Sequence, residues 1–231
     1  MSKQWYFAYG SNLDLKRYES RIKRAKDQGI KINYDDGTLT ENGCNTLKNI
    51  YDARPVKLLG YKFAFNKRVG KAKKASDKSI EAMAERLVSG KKSSSNKTKV
   101  NTKETSYSNI VPHAKGVVYG VIYSCTDEDF KKLDRKEGVL IGEYERKSVT
   151  VVDVKTGKPI KDKVIAYVAC SGRTTTHPTY PSNEYCDFII NGATQHGLPG
   201  KYITKIEELA LPSSLQILRN ADAAWEASKN G

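Results

Sequence analysis

Glu137 sits in the run Leu133-Asp134-Arg135-Lys136-Glu137-Gly138-Val139, shortly before Gly142-Glu143-Tyr144. The glycine that follows marks a helix end. A carboxylate there faces the negative end of the helix dipole, a setting that suits a proton acceptor more than a structural ion pair. Taken alone, a solvated surface glutamate explains the same pattern. A second run, Tyr6-Phe7-Ala8-Tyr9-Gly10-Ser11-Asn12-Leu13, ends a short apolar segment abruptly at a glycine and two small polar residues. Glycine there permits a positive φ and a close approach of ligand to backbone, and successive N–H groups in such a turn can cradle an anion. An ordinary tight turn has the same appearance. The third run opens with Tyr185 and continues through Asn191-Gly192-Ala193 to Gly197-Leu198-Pro199. The cysteines (Cys44, Cys125, Cys170, Cys186) and histidines (His113, His177, His196) are scattered, without zinc-type spacing, so reduced thiols and no metal site are expected.

The elements that would position these runs follow from periodicity. Trp5 to Tyr9 reads as a strand running into a turn, and Leu13 to Ala25 as a short basic helix. Residues 26–50 are polar and turn-rich and read as a loop or small elaboration. Val56 to Asn66, Gly116 to Ser124, Tyr144 to Val154 and Val164 to Ala169 read as strands. Thr126 reads as an N-cap, with Asp127, Glu128 and Asp129 in the first turn and an end near Gly138. Tyr185 to His196 and Tyr202 to Leu209 read as helices. Between the ordered parts, residues 67–107 carry twelve of the forty lysines and arginines and few large apolar residues. They read as a largely mobile insertion, with Ile80 to Val88 able to form two helical turns. Strands that are neighbours in sequence would pair across this insertion, which gives a single α+β domain rather than two.

The 231 residues, 38% of them hydrophobic, include no apolar run long enough to span a membrane. The start, MSKQWYFAYGSNL, lacks the apolar core and cleavage site of a signal peptide, so a cytoplasmic location is expected. The net charge of +14 favours anionic partners. The basic segment, however, has no interleaved aromatic before Tyr107 and no nucleic-acid-binding motif.

Together the three runs resemble the γ-glutamylcyclotransferase superfamily, which includes the γ-glutamylamine cyclotransferases. Tyr6 to Leu13 is similar to its N-terminal signature. Leu133-Asp134-x-x-Glu137-Gly138-Val139-x-x-Gly142-x-Tyr144 is similar to its catalytic segment. Tyr185 with Ile190-x-Gly192-Ala193 and Gly197-Leu198-Pro199 is similar to its substrate-closing helix. The resemblance covers about residues 5–20, 53–66 and 109–209. It implies one domain over 1–209, a small, mostly antiparallel or mixed β-barrel flanked by helices, with insertions at about 26–50 and 67–107 and a tail at 210–231.

The resemblance also implies an acyltransferase that needs no cofactor. The α-amine of a small-molecule γ-glutamyl substrate attacks its own γ-carbonyl and releases 5-oxoproline plus an amine or amino acid. Glu137 would be the base. Tyr6, Phe7, Ala8, Tyr9, Gly10, Ser11 and Asn12 would line the glutamyl pocket, with Tyr144 and Tyr185 supplying hydroxyls. Relatives act on γ-glutamyl amino acids, γ-glutamyl-ε-lysine or γ-glutamyl-protected antibiotic precursors, and the sequence does not choose among them. The competing reading is a non-catalytic or dual-role protein whose basic insertion contacts nucleic acid or another anionic partner. The oligomeric state is not legible.

Overall fold

The computed structural model describes residues 4–68, 106–176 and 180–211. The helical turns expected at 80–88, most of the basic insertion and the tail beyond 211 lie outside the described residues.

The central element is β1 (Gln4–Ala8). It pairs antiparallel with β5 (Ser106–Cys125) on one side and parallel with β8 (Lys163–Ala169) on the other. A strand covered on both faces has no polar side to show. This explains why Trp5, Tyr6, Phe7 and Ala8 are all buried and run without alternation. Outward from this centre lie β4 (Arg54–Arg68) and β7 (Val151–Asp153) on one side and β6 (Tyr144–Val149) on the other, giving the order β6-β8-β1-β5-β4-β7. The remaining short pair, β2 (Tyr34–Asp35) and β3 (Thr38–Leu39), forms a separate hairpin.

The curvature of the sheet follows from this order. The strands β6 and β7 occupy opposite edges, yet only Thr150 separates them in sequence. Laid flat, six strands would hold their outer members about 24 Å apart at ~4.8 Å per strand. Two residue steps span at most ~7 Å. The edges must therefore meet at Thr150, and the sheet curls into a half-barrel. The single strand expected over 144–154 is two strands on opposite edges. The expected barrel flanked by helices in one α+β domain is the observed architecture.

The helices are α1 (Leu15–Ile22), α2 (Arg24–Asp27), α3 (Glu41–Tyr51), α4 (Asp127–Glu137), α5 (Asn183–Gln195) and α6 (Gly200–Leu209). The one helix expected over 13–25 is broken at Lys23, whose φ of 62° ends α1. The polar stretch 26–50 is more ordered than a loop. Thr40 caps α3 by accepting from the Gly43 N–H, and the helix sends Leu47 and Tyr51 into the core. There Tyr18, Tyr51 and Tyr123 are fully buried, with the Tyr18 and Tyr123 rings stacked at 4.1 Å. The strands also reach further than composition suggested, because β4 runs to Arg68 and β5 begins at Ser106. Lys67, expected in a solvated insertion, is only 3% exposed and is ion-paired with Glu143. Ala210 and Leu211, expected in the tail, are buried as well.

Candidate active site

The strand β1 delivers Tyr9 and Gly10 to the rim of the half-barrel, where Ser11–Leu13 make a single 3-10 turn. Asp14 ends this turn and caps α1, accepting from the Arg17 N–H at 2.7 Å. Helix α5 braces the same corner. Gln195 accepts from the Leu15 N–H at 3.0 Å and donates to Asp14 Oδ2 at 3.2 Å. The approach requires glycine: a Cβ on Gly192 would lie 2.2 Å from both Asp14 N and Leu13 C. Gly10 is required for a similar reason. Its φ of −106° is not left-handed, contrary to the expectation of a positive φ. A Cβ there would instead fall 2.1 Å from Ser108 Oγ.

The opposite wall is the end of α4. Its start is fixed by a capping box between Thr126 and Asp129, and its end by Gly138 at φ 65°. Glu137, the last helical residue, reaches across to the N-terminal turn. Asn12 Nδ2 donates to Glu137 Oε1 at 3.1 Å, and Arg21 Nη1 donates to the same oxygen at 2.6 Å. The expectation that Glu137 avoids a structural ion pair is thus corrected, since α1 places Arg21 beside it. Both contacts fall on Oε1, and no described residue bonds Oε2. Asn12 Nδ2 also donates to the Tyr6 hydroxyl at 2.7 Å, while Asn12 Oδ1 is buried with no partner among the described residues.

Between these walls lies a cleft of about 300 Å³, counting its open mouth. Tyr6, Tyr9, Gly10, Ser11 and Asn12 line it from the N-terminal turn, and Glu137, Tyr144 and Tyr185 from the other elements. Phe7 and Ala8 are not among the lining residues. Both are fully buried, and the Phe7 ring lies against Gly120 of β5. Their expected place in the glutamyl pocket is therefore corrected to the core, where β1 is covered on both faces.

Ser108 and Tyr167 also line the cleft and carry no local sequence signal. Ser108 lies next to the basic insertion, and Tyr167 is embedded in an apolar strand. Arg21 is one of forty basic residues. Burial raises the pKa of the Tyr6, Tyr9, Tyr144 and Tyr185 phenols, which stay neutral and able to donate. Behind Tyr144, the Lys67 ammonium lies 5.4 Å from its ring. Among the described residues no group of three His, Cys, Asp or Glu could hold a metal ion, and no helix is long and apolar enough to cross a membrane. The cleft thus sets one carboxylate with an open oxygen opposite a turn of small residues, inside a ring of neutral phenols.

Solved structures share this fold. A protein described as a γ-glutamyl cyclotransferase matches with a TM-score of 0.57 at 19% identity, over 95% of this chain and 99% of that one. The uncharacterized protein loc79017 from Homo sapiens matches with a TM-score of 0.57 at 20% identity, over 95% and 99%. YkqA from Bacillus subtilis matches with a TM-score of 0.56 at 16% identity, over 90% of this chain and 54% of that one. The chain therefore has the γ-glutamyl cyclotransferase-like fold. Residues 117–206, which span Glu137, Tyr144, Tyr167 and Tyr185, match the AIG2-like family. Fold and family match both agree with the superfamily that the three sequence runs resemble. No curated protein matches the chain.

Proposed function

We propose that the chain is a γ-glutamyl cyclotransferase that converts a γ-glutamyl amide into 5-oxoproline and a free amine or amino acid, with Glu137 as general base. The observation that carries this reading is the Glu137 carboxylate, held by Arg21 and Asn12 through one oxygen and open at the other, across a small cleft from the Gly10–Asn12 turn.

An α-ammonium is no nucleophile until it loses a proton. Glu137 Oε2 takes that proton. The freed amine attacks the γ-carbonyl carbon. A C–N bond forms and the carbonyl π pair moves to oxygen. When the tetrahedral intermediate collapses, the carbonyl re-forms, the bond to the leaving nitrogen breaks, and that nitrogen receives the proton from Glu137. The attacking nitrogen, which still carries two protons, gives one to the freed Glu137 carboxylate, which passes it to the released amine and leaves a single lactam N–H. Nucleophile and electrophile belong to one molecule, so holding the glutamyl chain folded supplies a large effective molarity. In this reading the N–H groups of Gly10 and Ser11, at the open start of a 3-10 turn, donate to the oxyanion.

The test is a panel of γ-glutamyl amines and γ-glutamyl amino acids incubated with the pure protein, with 5-oxoproline read by mass spectrometry. Wild type should release it from at least one member. Glu137→Gln should lose about 10²–10⁴-fold in rate while its thermal unfolding remains cooperative. Near wild-type turnover in that variant would refute the assignment of the base. The panel also identifies the leaving group.

A further inference from the structure

Five tyrosine hydroxyls line the cleft, and each has a single proton to give. Three of these protons are already committed to the protein. Tyr9 donates to the Tyr167 carbonyl at 2.5 Å, Tyr144 to the Ser108 carbonyl at 2.9 Å, and Tyr167 to Asp134 Oδ1 at 2.7 Å. These rings can shape a ligand's surroundings but have no hydrogen to offer it.

Tyr6 and Tyr185 differ. The Tyr6 oxygen accepts from Asn12 Nδ2, and among the described residues no acceptor takes its proton. The Tyr185 oxygen accepts from the Ser108 N–H at 3.2 Å and shares a bond with Ser108 Oγ at 2.8 Å. The Ser11 side chain acts on the same oxygen. Between Tyr185 and Ser108 there are two hydroxyl protons and one bond. With the Ser108 hydroxyl donating, its N–H and O–H both point at the phenol oxygen. The Ser11 contact acts to lower the phenol's pKa, as a bond donated to that oxygen does, and the Tyr185 proton is left for the cleft.

Position separates the two free donors. Tyr6 is on the Glu137 side, since the amide that reaches it also reaches Glu137 Oε1. Tyr185 is on the Gly10 side, with its hydroxyl 3.5 Å from where a Gly10 Cβ would be. A carbonyl carbon attacked by an amine that Glu137 has deprotonated turns its oxygen away from that base, toward the Gly10–Ser11 turn. The missing Cβ of Gly10 leaves the space in which turn, serine and phenol converge.

We propose that Tyr185 is a catalytic residue, the side-chain donor to the oxygen of the reacting carbonyl, and that Ser108 is the positioning residue that frees its proton. This rests on the cyclotransferase reading and adds a named oxyanion donor to it. Two hydrogen bonds donated onto the phenol oxygen also strengthen its own O–H as a donor, by polarisation along the chain.

The experiment is steady-state kinetics on the best substrate of the panel, with thermal unfolding as a check on folding. Tyr185→Phe should lower kcat about 10²-fold, with KM within a few-fold of wild type. Tyr144→Phe removes a proton committed to a protein carbonyl and should lower kcat less than tenfold. Ser108→Ala should lower kcat about tenfold alone and add little in the Tyr185→Phe background, because both changes remove one unit. A merely structural serine would give additive losses. Binding of 5-oxoproline, whose lactam carbonyl offers the same oxygen, should weaken in Tyr185→Phe and Ser108→Ala but hold in Glu137→Gln. If Tyr185→Phe turns over within threefold of wild type while Glu137→Gln is inactive, the oxyanion assignment falls and the base assignment stands. A wild-type protein silent in both turnover and binding overturns both.

Discussion

On the Gly10–Asp14 side of the cleft, every turn is fixed by what lies against it. Gly192 and Gly10 are glycines because neighbouring atoms occupy the Cβ position. Gln195 bonds both the Leu15 N–H and the Asp14 carboxylate, and His196 meets the Tyr123 hydroxyl at 2.9 Å. On the Glu137 side the chain turns by conformation instead. Gly138 and Gly142 both adopt left-handed φ values near 65°, and a Cβ on Gly142 would meet nothing within 4 Å. Between them Leu140 is 91% exposed and Ile141 69%. One wall of the cleft is thus immovable packing, and the other is a helix end followed by a loosely covered loop. A site that must admit and release a ligand is served by this asymmetry: the turn side holds geometry and the loop side can adjust.

Acid should break the packed wall first and with the largest effect. Burial holds the His196 pKa down to about 3, against 6.5 for the free side chain. The folded protein therefore keeps this imidazole neutral where the unfolded chain protonates it. Stability from this group is complete above pH 6.5 and declines as pH falls toward 3, by several kcal/mol at ~1.4 kcal/mol per unit. Asp14, whose carboxyl burial pushes up, acts in the opposite sense over the carboxylate range. Urea unfolding of wild type and His196→Gln between pH 7 and 4 should show a shallower pH slope in the variant. Equal slopes would mean His196 is not held neutral.

Gly192→Ala probes the same wall sterically. Its Cβ would meet backbone rather than a flexible side-chain end, so overpacking of about 3 kcal/mol is expected. That corresponds to roughly 10 °C in Tm for a chain of this size. A change under 2 °C would show that α5 can move away from the turn. The smallest effect belongs to the loop. Gly142→Ala should lose only about 1 kcal/mol, from its left-handed φ alone. A loss as large as that of Gly192→Ala would erase the contrast between the two walls.

Much of this architecture was legible where the signal is local. Thr126 and Gly138 bracket α4 because capping depends on residues within one turn. Gly10 stood out for its type, though its reason lies 98 residues away in Ser108. Helix α3 was hidden because only Leu47 and Tyr51 of its apolar residues are large and fully buried, with Cys44 and Ile50 half-buried beside them in an otherwise polar stretch. The first half of β5 was hidden because its residues 106–115 mix polar and apolar types. Nothing near Arg21, Ser108 or Tyr167 hints at the cleft, since each owes its place to tertiary pairing. Phe7 and Ala8 show the converse: the family-like run includes residues that serve the core, and nothing within the run itself separates them from Tyr6 and Tyr9, which reach the cleft.

Thr150 joins the two edges of the sheet. A strip whose ends are riveted together has a fixed girth. The barrel cannot widen at this seam unless ladder hydrogen bonds on β6 or β7 break, and strain at one edge passes directly to the other. A single residue therefore does the work of a clasp, and a cut there would turn a hoop back into a ribbon.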